Sequence, residues 1–439
     1  MADDFRDRYD ILDTVTPRHA LLAGRYKKSF AYHVLRDRLP VTLTQIIDNL
    51  LKDKDEIARR FGEDSREDIK VVIGQLSKLK YQLQTDKPFE KFENNEPDKT
   101  LWNEFIDALP KEFNSFFRSC LLYTECYIYR KVSSFFEART SLKSFDYFEK
   151  KKQIIDHNVM IAIARSCRRT DKDKKVFYRY AKLDLWSNLR DLSSITQFEG
   201  NLLDLLDNWD NNILVNNTQN IWNCLQKADH SKPVIVDFVC NDANFELYAD
   251  LVLAEYLVEK ELASKVRLHV KPIPWCTYDA TVQDVQNLLQ IMRSSSYGVI
   301  SEQGRKWKQY FDEEKFLIPP MDYFWVSAYE YFKMREINLE LYKYLSQAHL
   351  VIFKGDLHYR KLLGDYCWDP TDNFLTCIRG FRPTNICTLR TIKSDVVCGL
   401  QQGQTDDLHR RNHKWMTTGE YGLIQFVERI ECGCSWKEK

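Results

Sequence analysis

Four short stretches of this 439-residue chain carry side chains that could do chemistry together. Asn241-Asp242-Ala243-Asn244 offers amide and carboxylate oxygens just before an apolar helical pattern. Asp279 stands at another helix start, past the turn Lys271-Pro272-Ile273-Pro274-Trp275. Lys354-Gly355-Asp356-Leu357-His358-Tyr359-Arg360-Lys361 mixes one carboxylate with several cations, and Thr391-Ile392-Lys393 adds a further amine. Oxygen donors of this kind hold a hard divalent cation. Arg and Lys clamp phosphoryl oxygens as charge spreads over them in a transition state. Each stretch also has a plain structural use, Asp and Asn as helix caps and Lys-Gly-Asp as a turn. A metal-phosphate site therefore depends on their meeting at one place.

Each stretch follows a β-branched or aromatic run. Strands are expected at Val234–Val239, Val266–Val270, His349–Phe353 and Ile386–Arg390, with a short terminal one at Gly422–Phe426. Helical spacing fills Phe245–Lys265, Ala280–Met292 and Ala328–Gln347 between them. Such alternation predicts an α/β fold: an α/β/α sandwich around a mostly parallel sheet. Ligands of these sheets bind beyond the carboxyl ends of the strands, where all four stretches lie. The first half differs. Tyr32, Leu35, Leu39 and Leu43, and stripes over Ile69–Leu83 and Phe113–Phe136, recur at threes and fours, and only Gly24, Gly62 and Gly74 precede residue 200. An all-α N-terminal bundle is expected over residues 1–200 and the metal- and phosphate-binding sandwich over 201–439, with the Asn- and Asp-rich stretch 201–220 as linker.

Composition removes several function classes. Lys plus Arg and Asp plus Glu number 64 each, so no bulk field draws nucleic acid or an anionic membrane. The acidic start Met1-Ala2-Asp3-Asp4 is unlike a leader peptide, and no apolar stretch approaches the roughly 20 residues that cross a bilayer. Twelve scattered cysteines, with Cys432 and Cys434 the one close pair, read as reduced thiols, which places the protein in the cytoplasm, with the nucleus also open to it. No G-x-G, P-loop or G-x-S-x-G occurs, and His409 and His413 lack the Glu of a zinc-protease helix.

Lys354-Gly-Asp-Leu-His-Tyr-Arg-Lys-Leu362 followed by Arg390-Thr-Ile-Lys393 resembles the damage-control phosphatases of the acidic-residue-methyltransferase-1-like branch, also described as sugar phosphate phosphatases. The likeness extends through Ser29-Phe-Ala-Tyr32, Arg36-Asp-Arg-Leu-Pro40, Leu83–Phe89, Glu125–Arg130, Leu185–Asn188 with Asp191–Ser193, Phe245-Glu-Leu247, Ile273-Pro-Trp275 and Trp415–Gly419. It implies a helical domain on an α/β/α sandwich, hydrolysing small sugar phosphates such as fructose 1-phosphate with bound manganese, cobalt or nickel, magnesium being a further option. By resemblance, Asp279 is a metal ligand with Asp242 and the neutral Asn241. Asn241, Asp242, Asp356, Leu357, His358, Tyr359 and Arg360 hold the sugar phosphate, and Lys393 neutralises it. Asp242, Asp279 and Lys393 form the catalytic set, Arg360 assists Lys393 on the phosphate, and His358 hydrogen-bonds a sugar hydroxyl.

Two alternatives accompany this reading. Some members of the branch are described as S-adenosylmethionine-dependent methyltransferases acting on protein carboxylates, with Glu246 and Asp279 at the matching positions. The second arises from a departure: where the family reads Asp-Asn before Ala/Ser-Gly-Phe-Glu, this chain reads Asn241-Asp242-Ala243-Asn244-Phe245-Glu246. Carboxylate and amide have changed places, which in extended backbone turns them to opposite sides. Either the loop twists to restore Asp242, or the cation is held by fewer charges and the protein is a weakened phosphatase or a pseudoenzyme. Asn244 can take the positive φ that the family's Gly would tolerate.

Overall fold

Seven strands form one sheet in the order β1-β7-β6-β5-β2-β3-β4. They are β1 (Ile213–Asn216), β2 (Ile235–Val239), β3 (Lys265–His269), β4 (Phe316–Leu317), β5 (Leu350–Lys354), β6 (Asn385–Thr391) and β7 (Gly422–Val427). All neighbours pair in parallel except β6 with β7. The sequence dictates this burial, since β5 is an unbroken Leu-Val-Ile-Phe run with every residue buried, as a sheet covered on both faces requires. The computed structural model describes residues 11–93, 95–152, 157–167, 173–187, 206–276 and 278–429.

Two apolar layers sandwich the sheet. On one side, α1 (Leu39–Lys52), α2 (Ser65–Gln84) and α3 (Leu121–Glu137) share a core with Phe353, Tyr331, Tyr359 and Trp415. The other side is built from α4 (His157–Cys167), α5 (Lys174–Trp186), α6 (Thr218–Gln226), α7 (Phe245–Glu259), α8 (Val282–Arg293) and α9 (Gly298–Asp312). The α4 and α5 helices, which precede residue 200, thus pack on the sheet rather than in the bundle. The expected boundary at 200/201, the Asp191–Ser193 match and the Cys432/Cys434 pair lie outside the described residues.

Three expectations need correction. The Asn-rich stretch is not a linker throughout, because Ile213-Leu-Val-Asn216 pairs with β7 as an edge strand. Phe245–Lys265 is not one helix: α7 stops at Glu259, and Glu261 takes φ 54, turning the chain into β3. Ala328–Gln347 is broken into a 3₁₀ turn at Tyr331–Lys333, a single turn at Met334–Ile337 and α10 (Leu339–Ser346). Asn338, at φ −141, interrupts the ladder and accepts the Leu341 amide at 3.0 Å, acting as a cap where a longer helix was expected.

β2 sits between β5 and β3, and the chain leaves it in one direction to β3 and in the other to β5. This reversal is the switch point at which an open parallel sheet leaves a crevice beyond its carboxyl ends. The β2 and β5 registers meet at Val239 and Phe353, so residues 241 and 355 emerge side by side.

Candidate active site

The switch point is very tight. Gly355 opens α11 (Gly355–Leu363) at φ +74, and a Cβ there would stand 2.4 Å from Asn241 Cγ. Only glycine lets the two loops approach so closely. The first amides of α11, which have no partner inside the helix, start from this contact. Asn241 is buried and donates to Glu246 Oε2 at 3.2 Å. Asn244 takes a positive φ, 62.

Asp242 and Asp279 are brought together by the backbone. They are opposed in an isolated antiparallel bridge in which the Ala243 amide donates to Tyr278 O at 2.5 Å and the Ala280 amide to Asn241 O at 2.9 Å. Residues 37 positions apart in sequence are thereby neighbours, as a shared ion requires. The Asp242 carboxyl is pushed up to about 7 by burial and by the charges of Glu246 and Asp279, with Lys393 and Lys271 opposing. So many acidic groups around one carboxyl make a place where a divalent cation relieves repulsion.

Asp279 already has partners. One oxygen is ion-paired with the buried Lys271 ammonium and the other accepts the Cys276 amide. Among the described residues no group of three His, Cys, Asp or Glu side chains has ligand spacing. The all-oxygen donor set of Asn241, Asp242 and Asp279 fits a hard divalent ion in kind. Both Asp279 oxygens are engaged, so an ion there would have to displace Lys271 or the Cys276 amide.

Lys393 completes the rim from the β6 side. Its charge acts on Asp242, its amide donates to Asp356 Oδ1 at 3.3 Å, and Gly419 packs on its stem, with a Cβ there 3.3 Å from Lys393 Cε. Asp356 also accepts Arg390 Nε at 2.9 Å, Arg390 Nη2 at 2.7 Å and Ser394 Oγ at 3.0 Å. Asp356 therefore anchors the loop that carries Lys393.

A family model described as the damage-control phosphatase ARMT1-like domain matches residues 34–408. The chain belongs to this family. Curated relatives named "Damage-control phosphatase ARMT1" include that of Homo sapiens, 33% identical over 433 residues and covering 93% of this chain and 98% of the relative. The Danio rerio relative is 34% identical over 432 residues, covering 92% and 96% respectively. The Mus musculus relative is 33% identical over 432 residues, covering 93% and 98%.

Within this ARMT1-like framework, four side chains of the Asp356–Arg360 segment do not face the crevice as expected. Arg360 is buried and holds Asp365 through Nε and Nη2, each at 2.7 Å, and Glu125 through Nη1 at 2.6 Å. A guanidinium saturated by two carboxylates has no fork left for phosphate. His358 is fully buried, with Nδ1 2.5 Å from Tyr331 Oη and Nε2 3.0 Å from Cys240 O. Burial and the Lys271 charge hold its pKa well below the usual imidazole value, so it is a neutral strut between α11 and the end of β2. Tyr359 is buried, donating to Gln425 Oε1 at 2.8 Å beneath Arg390, and Leu357 lies in the apolar core. What this segment offers a ligand is Asp356 and first-turn backbone.

Sequence reasoning gave no role to a second layer of charge. The Lys354 ammonium, fully buried at the end of β5, is ion-paired to Asp184 of α5, lies 3.0 Å from Asp250 of α7 and 3.6 Å from Glu246. Burial raises the Asp250 carboxyl well above the carboxylate range, with Asp184 adding to the effect against Lys354. Glu246, a candidate for S-adenosylmethionine, is tied between Asn241 and Lys354. The only local hint was Lys354 ending an apolar strand, where a buried ammonium must find carboxylates. No described helix is long and apolar enough to cross a membrane.

Proposed function

We propose that this crevice hydrolyses the phosphate monoester of a small phosphorylated sugar, of which fructose 1-phosphate is the type, with a divalent cation (manganese, cobalt or nickel; magnesium as a further option) held by Asn241, Asp242 and Asp279. The observation that carries the reading is the Asp242–Asp279 bridge at the switch point, with Lys393 acting on the same carboxyl. When bound, the cation polarises a phosphoryl oxygen and lowers the cost of forming hydroxide from water. Lys393 neutralises the phosphoryl oxygens as their charge spreads. Asp356 keeps the Lys393 backbone in place, and the opening amides of α11 add positive dipole at the same rim. Water attacks phosphorus, the bond to the sugar oxygen breaks, and the two water hydrogens end on the sugar hydroxyl and the released phosphate.

A weakened enzyme is favoured by one observation: Asp279 must give up a partner before it can serve an ion. Methyl transfer is not favoured, because Glu246 is buried and spoken for by Asn241 and Lys354. The test is release of inorganic phosphate from a panel of sugar phosphates, with each metal titrated. Turnover needing high metal concentrations marks the weakened enzyme, and no release with any metal rejects the reading.

A further inference from the structure

The helical layer holds a cavity of about 510 Å³, within the size range of small-ligand sites. It is separate from the crevice, since none of Asn241, Asp242, Asp279, Asp356 and Lys393 lines it. Its walls have local causes. The helix Lys99–Ala108 ends before Pro110, whose extended backbone at ψ 141 leads the chain away toward Phe113. A second wall, the loop 20–26, is held against the bundle. The Leu121 amide donates to Leu22 O at 2.7 Å and the Leu22 amide to Asp365 O at 2.8 Å. Gly24 permits this approach, because a Cβ there would stand 2.5 Å from Leu35 Cδ1.

Most of the lining is apolar or aromatic. Phe105 stands edge-on to Tyr123 and Tyr329, with ring centroids 4.9 and 5.2 Å away, and the exposed Leu21 and Phe113 frame the opening. The charges are of one sign: Arg25, Arg118 and Lys333 line the space, and among the described residues no Asp or Glu does. Nearby carboxylates are engaged elsewhere. Glu330 accepts the Tyr123 hydroxyl and pairs with Lys333 at 3.2 Å. Asp365 accepts the Leu122 amide at 2.8 Å and Arg360 Nη2 at 2.7 Å, and Asp86 accepts the Phe117 amide at 2.8 Å. Two polar groups of the lining are left over. Ser119 is fully buried and its Oγ has no hydrogen-bond partner, and Arg118 Nε is shielded from water and equally unpartnered. Buried donors in this state cost free energy that an acceptor from outside the chain would recover.

We propose that this cavity is a second ligand site, built for an amphipathic organic anion. An apolar chain or ring sits among Phe105, Tyr123 and Tyr329, and a carboxylate head accepts from Arg118 and Ser119. Two donors on adjacent residues match the two oxygens of a carboxylate, and the guanidinium adds charge to the contact. The aromatic walls supply apolar area that is already fixed in place. No crevice residue takes part, so the inference stands apart from the phosphatase reading.

The test is calorimetric titration of decanoate, decanol and decyltrimethylammonium into the full-length protein, comparing wild type with R118Q, A108W and K111Q. Ala108 lines the cavity from an exposed position, so A108W fills the space without disturbing the core. Lys111 is exposed nearby and outside the lining, which makes K111Q the control for lost charge. Decanoate affinity should fall about tenfold or more in R118Q and in A108W and stay unchanged in K111Q. Decanol should bind wild type more weakly than decanoate, and decyltrimethylammonium more weakly still. Decanoate that fails to bind, that binds no tighter than decyltrimethylammonium, or that binds A108W like wild type overturns the site. Loss in A108W alone marks an apolar pocket and overturns the anion assignment. Circular dichroism checks the fold of each variant, and if R118Q does not fold, A108W and the three ligands decide.

Discussion

The buried Arg390 and the half-buried Asp356 form a charge pair, Nη2 to Oδ1 at 2.7 Å, that joins the end of β6 to the first turn of α11. The rest of the Arg390 guanidinium binds Val396 O at 2.6 Å and Ser394 Oγ at 2.9 Å, so the whole Lys393 loop is laced to one carboxylate. Lys393 is useful only where that lacing puts it.

Asp356→Asn should therefore act on stability and on pH dependence. Burial alone would raise the Asp356 carboxyl, but Arg390, Arg360 and Ser394 together hold it below the usual carboxylate range. A carboxyl whose folded value lies below its unfolded value, about 3.9, adds stability that is complete above that value and is lost as pH falls through the folded one. The variant should lose about 3–5 kcal/mol near neutral pH, because Arg390 stays buried without its partner. It should also show a shallower decline on acidification. Urea midpoints followed from neutral pH into the acid range decide this; an unchanged acid slope would remove Asp356 from its anchoring role.

Gly355→Ala should damage the site more than a surface Gly→Ala change. The new methyl would need the 2.4 Å space of the Asn241 carboxamide at a φ of +74. Adapting to either constraint costs more than roughly 1 kcal/mol. Phosphate release should fall at least tenfold, and a wild-type rate would show that the two loops are freer to part than their contact implies.

Arg360→Gln should report folding, not substrate affinity. It leaves Asp365 and Glu125 buried with their charge unpaired, a loss of about 3–5 kcal/mol. The measurement is thermal melting alongside KM on whatever fraction remains folded. A melting temperature like wild type with a raised KM would return Arg360 to the phosphate.

Lys393→Met should do the reverse. The side chain is half-buried at the rim, so the fold should survive while turnover drops tenfold or more, on the order of 2–4 kcal/mol of lost electrostatic stabilisation. Turnover equal to wild type in steady-state assays would argue that another cation meets the phosphate.

The parts of this molecule legible in its sequence are those fixed by local pattern. β2, β3, β5, β6 and β7 lie within one residue of their expected bounds, because each is centred on a short β-branched or apolar stretch between polar turns. Asn241, Asp242, Asp356 and Lys393 could be placed because each follows such a run. β1 was missed because its four residues are embedded among Asn and Asp, and β4 because two residues carry no pattern. The roles of Arg360, His358 and Tyr359 were not legible. Their partners Glu125, Tyr331 and Gln425 lie 235, 27 and 66 positions away, and only the fold reveals that the polar groups are satisfied internally. Asn244 shows the converse: the positive φ expected from the family's Gly was met by a residue type that tolerates it.

On the proposed phosphatase reading, Asp242 holds the ion that hydrolysis needs, opposed to Asp279 across their backbone bridge despite the exchanged Asn-Asp order. Phosphate release from fructose 1-phosphate by the wild type and by Asp242→Asn, each stripped with chelator and then titrated with manganese, tests it most directly. Metal-restored release in the wild type, with the variant at least a hundredfold slower at equal metal, is the predicted result. Equal metal-restored rates in the two proteins, or release that persists in chelator, would contradict it.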